Sequence, residues 1–369
     1  MQKYQENSKE RVKSYMLPEI SIIMSVYNGE AYLKEAIESV INQTFRSWEL
    51  IIINDCSTDS TSEILAEFSA KDERIKVHTN EVNLKLPTSL NKAISLCSGK
   101  YIARMDADDI SLPHRFEKQY EFMEEHQDVA LSSCRFMTVK NGVYASGGAG
   151  GRCDNKALRA MLLVANPILH PGVIAKAEVM KKFNYDTTLT CTEDLELWTR
   201  MVMENQKIEI LPECLLIYRL HDKQITSTTL ERQHTEVLKI QQKYYTALLQ
   251  DMNEEMQKFY ISGIYFKENT DIHKFLEYAK WLKSMTAKNF DKQTINYVLF
   301  EVLAEYKRCG VSKSDVLKAI LKFKPFFLAK EIIRRKQAAR KDIKKCMKVA
   351  KNIGLRKTKG TKAFPIYEK

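Results

Sequence analysis

Over the first third of the chain, short continuous apolar runs alternate with segments whose apolar residues recur every third or fourth position. The β-branched run "ISIIMSV" at 20–26 reads as a buried strand, and Asn28-Gly29 breaks it into a helix over 30–43. In that helix Leu33, Ala36, Ile37, Val40 and Ile41 share one face, the stripe that packs on a core. "WELIIIND" at 48–55 is a second buried strand, and the polar "STDSTS" behind it supplies cap residues for a second helix, with Asp59 as its cap. The order continues with a strand at 75–79, a helix at 88–98 and a strand "YIARMD" at 101–106. Such alternation predicts a mainly parallel sheet covered on both faces, where ligands sit beyond the carboxyl ends of the strands. Residues 27–30, 55–59 and 106–109 all fall at such ends, so three polar clusters converge on one crevice.

Past Pro113 the pattern gives a helix, a strand "VALSSCRFMTV" and a glycine-rich stretch "YASGGAGGRCD". That stretch lacks the Lys-Ser/Thr ending of a phosphate loop and reads as a mobile loop. "CTEDLELWTRMVM" is helical, with Trp198 beside Leu195 and Met201 as core, and "CLLIYRLH" is strand-like. From about 226 onward the pattern is helical. The expected organisation is an N-terminal tail over 1–17, an α/β domain over 18–224, a separate helical region over 225–312 and a basic amphipathic tail over 313–369.

Charge changes this picture at one end. The 369 residues carry a net +11, yet 313–369 hold 19 Lys and Arg against 4 Asp and Glu, a net of +15, which leaves −4 for the rest. Such asymmetry points to an anionic partner for the tail, an anionic membrane surface being one and a helix packed on the body with a solvated basic face the other reading. Pro325 interrupts any single long helix there, and no recognised binding motif accompanies the basic residues, so nucleic acid is not expected. No window approaches the ~18 uninterrupted apolar residues of a membrane span, and the first residues lack the apolar core of a signal peptide, which predicts a cytoplasmic protein. Eight cysteines form no CxxC pair and seven histidines no HxxxH or HEXXH spacing, so reduced thiols and no zinc site are expected.

Two short stretches carry candidate chemistry. In "KYIARMDADDISLP" the carboxylates of Asp106, Asp108 and Asp109 crowd a strand end, where like charges repel unless a cation stands between them. Asp106 and Asp108, two residues apart on a turn, can face one ion through hard oxygens; the other reading is a solvated turn capping the next helix. In "CTEDLELWTRM" Glu193 and Asp194 start a helix, a place that suits either a proton acceptor or carboxylates favoured by the helix dipole.

The segments "SVYNGEAYLKEAIESVINQT", "NDCSTDST", "GKYIARMDADD", "LHPGVIAK" and "TEDLELWTRM" over about 18–222 resemble the family 2 glycosyltransferases in order and spacing. The resemblance implies a GT-A nucleotide-diphospho-sugar transferase fold, a Rossmann-like mixed sheet with helices on both faces, followed by an all-α region. It implies an inverting, metal-dependent transfer from a nucleotide-diphosphate donor, a UDP-sugar, to a saccharide or lipid-linked saccharide acceptor in cell-surface polysaccharide synthesis, with the enzyme peripheral on the inner face of the cell membrane. Mn²⁺ or Mg²⁺ is implied on the DXD motif, with Asp108 the direct ligand and Asp106 nearer the ribose or sugar. Asp194 is implied as the base, with Glu193 as understudy. On the donor side the resemblance places Tyr27, Asn28 and Glu30, Asp55 as acceptor of the uracil N3 proton, Ser89 and Asn91, Arg104 and Ala107, and His170 beside the sugar. Arg219 and His221 match a stretch the family sets near the acceptor, where either can meet phosphate or simply end a surface strand.

Two rival readings fail on named residues, and a third stays open as the alternative. A haloacid-dehalogenase phosphatase needs Thr or Val where Ile110 stands and opens its domain with the motif. An EF-hand loop starting at Asp106 needs Gly where Ser111 stands, and Pro113 disturbs it. A noncatalytic donor-binding homologue is opposed by the intact carboxylates at 106, 108, 193 and 194.

Overall fold

A computed structural model of the protein describes residues 17–140, 143–145, 153–189, 191–221, 230–248 and 272–284, with isolated positions between 261 and 314. In chain order these form β1 (Ile20–Val26), α1 (Leu33–Ile41), β2 (Trp48–Asn54), α2 (Thr61–Lys71), β3 (Ile75–Thr79), α3 (Leu86–Leu96), β4 (Tyr101–Arg104), β5 (Ile110–Ser111), α4 (Arg115–Glu125), β6 (Leu131–Lys140) and β7 (Val143–Ala145). There follow α5 (Asn155–Met161), a 3-10 turn His170–Gly172, β8 (Ile174–Lys176), α6 (Ala177–Phe183), α7 (Glu193–Met203), β9 (Ile208–Leu220), α8 (Leu230–Leu248) and α9 (Ile272–Ser284).

The sheet runs β3-β2-β1-β4-β8-β6-β9-β5, with β7 hairpinned onto β6. β3, β2, β1 and β4 are parallel, while β8 pairs antiparallel with both β4 and β6. The expected parallel half is therefore present and a mixed half is added to it. Its strands are wholly buried where the sequence is continuously apolar, as in β2, because helices cover both faces. On one side α1 lays Leu33, Ala36, Ile37 and Val40 on the sheet; on the other, α3, α5, α6 and α7 enclose a second core around Trp198. Each large apolar side chain buried in this way stabilises the fold by about 1.5–3 kcal/mol, more than helix propensity differences supply, which is why the stripe in α1 fixes its orientation.

Three boundaries differ from expectation, each for a local reason. β4 stops at Arg104, so the acidic residues lie wholly on a turn that hands the chain to the short β5. α1 begins at Leu33 because Asn28 adopts a left-handed backbone (φ 52°) and the following residues are tied to the β2–α2 loop. α8, expected in a region apart, packs on α7 and contributes Val237, Ile240, Tyr244 and Tyr245 to the core that holds Trp198. The stretch 146–152 and the basic tail, apart from Ser314, lie outside the described residues.

Candidate active site

The loops at the carboxyl ends of β1 and β2 are zipped together. The Asn28 backbone N–H donates to Ser57 Oγ (3.0 Å), Thr58 N donates to Asn28 Oδ1 (2.8 Å), and Glu30 N donates to Asp59 Oδ2 and Ser60 N to Glu30 Oε2, both at 3.1 Å. Asp59 also accepts from Thr61 N, so it shapes the turn before α2, while Ser60 occupies the cap position. Gly29 is required here, since a Cβ would meet Val26 Cγ2 at 2.4 Å. Tyr27 stands 52% exposed at the rim, free to offer its ring.

Asp55, Ser89 and Asn91 have structural partners that their sequence positions did not reveal. Asp55 is buried; Asn80 Nδ2 and Leu84 N donate to its Oδ1 (both 2.8 Å) and Lys85 N to its Oδ2 (2.9 Å), so the carboxylate orders the β3–α3 loop. Ser89 is fully buried and accepts from the same Asn80. Asn91 clamps the backbone of Tyr185 from both sides, Nδ2 to the carbonyl and Oδ1 from the amide. Ser89 is thus tied to the β3–α3 loop, and the half-buried Asn91 joins α3 to the chain after α6.

The turn after β4 gathers charge. Ligand oxygens of Asp106, Asp108 and Asp109 lie within 4.8 Å of one another. The Arg104 guanidinium pairs with Asp106. Burial, opposed by Arg104 and reinforced by Asp108, pushes the Asp106 carboxyl up to about 6. Asp109 is fully buried; its Oδ1 accepts from Arg219 N (2.9 Å), its Oδ2 has no hydrogen-bond partner among the described residues, and burial with the Asp108 and Asp106 charges holds it well above the carboxylate range. His221 faces Asp108, Nε2 to Oδ2 at 2.8 Å. Arg219 pairs with Glu35 and lies over the Tyr32 ring. Ala107 packs against the core below the turn.

Across from this turn sit Glu193 and Asp194 at the start of α7. Glu193 is 5% exposed with Oε2 unpartnered among the described residues, and burial plus the neighbouring Asp194 raise its carboxyl to about 7. Asp194 accepts from Leu195 N (2.7 Å) and from Asn166 Nδ2 (2.8 Å), and burial raises its pKa while those bonds and Arg104 oppose the rise. His170 is buried, with Nε2 2.8 Å from the Tyr185 hydroxyl and Nδ1 3.8 Å from Glu193 Oε1. Burial and Arg104 hold it well below the usual histidine range, so it is neutral. Burial holds the Tyr185 hydroxyl well above its usual range, so it stays protonated beside the ring. Arg104 links the two halves: its charge acts on Asp106, Glu193 and Asp194 alike.

The family described as Glycosyl transferase family 2 matches residues 21–175. An uncharacterized glycosyltransferase of Methanocaldococcus jannaschii is 33% identical over 252 residues, covering 68% of this chain and 84% of that one. The O-antigen biosynthesis glycosyltransferase WbnJ of Escherichia coli is 33% identical over 220 residues, covering 58% of this chain and 85% of the relative. Among solved structures, S. aureus TarS in complex with UDP-GlcNAc superposes with a TM-score of 0.54 at 19% identity, over 78% of this chain and 83% of that one, a likeness of fold. The chain belongs to glycosyltransferase family 2; it has the GT-A fold and is a glycosyltransferase. No helix among the described residues is long and apolar enough to cross a membrane.

Proposed function

We propose that the enzyme transfers a sugar, with inversion, from a nucleotide-diphosphate donor to a saccharide or lipid-linked saccharide in cell-surface polysaccharide synthesis. One observation carries this reading: the acidic turn of Asp106, Asp108 and Asp109 and the Glu193–Asp194 pair meet through a shared arginine, Arg104. The O-antigen role in the name of the Escherichia coli relative and the UDP-GlcNAc held by TarS support a polysaccharide product and a UDP-sugar donor.

The residues fit a divalent cation. They offer hard carboxylate oxygens, one of them the buried Asp109 Oδ2, unpartnered among the described residues, and their mutual repulsion is what a cation relieves. Asp108 and Asp106 would hold Mn²⁺ or Mg²⁺, with Asp109 and the His221 imidazole within reach of the same turn. When bound, the ion neutralises charge on the departing diphosphate. Tyr27, Asn28 and Glu30 border the nucleoside, and Asp55 shapes the loop beside it. His170, neutral and buried, fills the wall between the sugar and α7.

The chain's own share of the chemistry is proton removal. As the acceptor hydroxyl forms its bond to the anomeric carbon and the bond to the diphosphate breaks, its proton passes to Asp194, whose basicity burial raises. Asn166 and Leu195 N fix that carboxylate's direction. The basic tail 313–369 is suited by charge to bring the enzyme to an anionic membrane surface, on its cytoplasmic side, where lipid-linked acceptors reside.

The test is a panel of UDP-, GDP- and dTDP-sugars with Mn²⁺ or Mg²⁺, read as nucleoside diphosphate release and as the anomeric configuration of the product by NMR. An inverted product, lost in Asp194→Asn, supports the reading. A retained configuration, or full transfer by Asp194→Asn with a dead Glu193→Gln, overturns the mechanism.

A further inference from the structure

The segment that bears the proton acceptor is held by a helix some forty residues further along the chain, α8. Thr192 is the N-cap of α7, yet its hydroxyl makes no cap bond to the helix amides. A capping threonine ordinarily accepts from the amide two or three residues on. Here the hydroxyl donates instead to Glu236 Oε2 on α8 (2.8 Å), and the Cys191 thiol reaches the same oxygen (3.4 Å). Arg232 Nε braces the other carboxylate oxygen at 2.9 Å, and the Glu236 side chain is only 11% exposed. These bonds hold the Glu236 carboxyl below its usual range despite its partial burial, so it is charged at neutral pH.

The same helix grips the chain ahead of Asn166. Gln241 Nε2 donates to the Leu162 carbonyl (2.9 Å), the Tyr244 hydroxyl to Arg159 O and the Tyr245 hydroxyl to Leu163 O (both 2.8 Å). These carbonyls belong to the last turn of α5 and the residues after it, the helix end whose acceptors lack partners of their own. α8 thus fixes both strands of chain that meet at the Asn166–Asp194 hydrogen bond, one just before Asn166 and one just before Glu193.

We propose that Glu236 is a positioning residue for the transfer reaction: through Thr192 and Cys191 it sets where the Glu193–Asp194 turn stands. This rests on the reading of that turn as the proton acceptor. A carboxylate tether suits the task, because a misplacement of about 1 Å at a reacting group costs on the order of a hundredfold in rate.

The test uses the full chain with Glu236→Ala, Glu236→Gln and Thr192→Val. Glu236→Ala is expected to lower kcat about tenfold or more while KM for the donor stays within about twofold, since the tether touches neither donor nor acceptor. Amide hydrogen exchange over 191–196 is expected to quicken with the rest of the chain unchanged. Glu236→Gln, which keeps an oxygen able to accept from Thr192, recovers most of the loss. Thr192→Val, which leaves the Cys191 contact, gives part of the kcat loss, and the double variant loses no more than Glu236→Ala alone, because Glu236→Ala already removes the Thr192 bond. Unchanged exchange over 191–196 in both Glu236→Ala and Thr192→Val, or losses that multiply in the double variant, overturns the proposal. A wild-type chain that transfers no sugar from any donor in the panel overturns the proton-acceptor reading instead, and the exchange measurement then still decides whether the tether orders the turn.

Discussion

His221 Nε2 stands 2.8 Å from Asp108 Oδ2, joining two residues 113 positions apart at the tip of the acidic turn. The contact is buttressed: His221 lies against the Tyr32 ring at 5.1 Å, and the neighbouring Arg219 amide holds Asp109. The end of β9 is thereby folded over the carboxylates.

Metal dependence is the first consequence. Chelation with EDTA is expected to abolish transfer and Mn²⁺ or Mg²⁺ to restore it. Asp108→Asn is expected to stay inactive at any metal concentration. His221→Ala should raise the metal concentration needed for half-maximal rate by about 10–100-fold, the range seen when a residue beside a metal ligand is removed. Titrating Mn²⁺ against rate checks this; full activity in EDTA contradicts the reading.

Glu193 makes stability depend on pH. Its carboxyl rises from the ordinary 4.5 to about 7 in the folded chain, with burial the main cause and Asp194 the next. Between those values the folded state holds more protons than the unfolded one, so stability falls as pH rises through the window. Glu193→Gln removes the cost of a buried charge, and is expected to be more stable than wild type at pH 8 by roughly 1–3 kcal/mol. At pH 4.5 and below the gap closes. Urea denaturation in EDTA at the two pH values checks it, and equal stability at pH 8 contradicts it.

What the sequence made legible is what local spacing controls. The stripe of α1, the buried run of β2 and the meeting of three loops at the strand ends follow from periodicity and from the geometry of a parallel sheet. Side-chain direction at the ends of long-range contacts does not follow from spacing. Ser89 meets Asn80, Asn91 meets the Tyr185 backbone, and Asp55 accepts from the β3–α3 loop. Asn166, Glu236 and the seat of His221 depend on partners 28, 44 and 113 residues away, which no single-segment pattern encodes. The only local hint was Asn166 standing directly before Pro167, a position that favours extended chain.

Lys85 offers a stability gain at the edge of the site. Its backbone sits at φ 71°, ψ 163°, a region that glycine adopts and other residues occupy only under constraint, and its amide is held there by Asp55 and Asn83. Such strain costs about 1–3 kcal/mol. Lys85→Gly relieves it but adds freedom to the unfolded chain worth about 0.4–1 kcal/mol, so a net gain of about 1 kcal/mol is expected in urea denaturation. A loss of stability contradicts the strain argument.

Arg115 shows how the acidic turn is held from beneath. It is fully buried, and no carboxylate pairs with it among the described residues. Its guanidinium is instead spent on fixed neutral acceptors: Nη2 donates to the carbonyls of Arg104 (2.7 Å) and Val173 (3.3 Å), Nη1 to Ser111 Oγ (3.0 Å), and Nε to Gln119 Oε1 (3.0 Å). Burial lowers its pKa to about 10, with the charges of Asp109 and Asp106 opposing, so it remains a cation at neutral pH. The planar fork spans the end of β4, the end of β5 and the chain leaving His170–Gly172, three segments that a lysine's single ammonium cannot bridge together. Arg115→Lys is expected to cost about 1–3 kcal/mol of stability, the penalty for leaving buried acceptors unsatisfied. It should also raise the metal requirement of transfer, because Asp106 and Asp109 lose the frame that sets their spacing. Arg115→Met, which fills the space without donors, should do both more severely. A substitution that lowers stability yet leaves the Mn²⁺ titration unchanged means that Arg115 supports the core and not the turn.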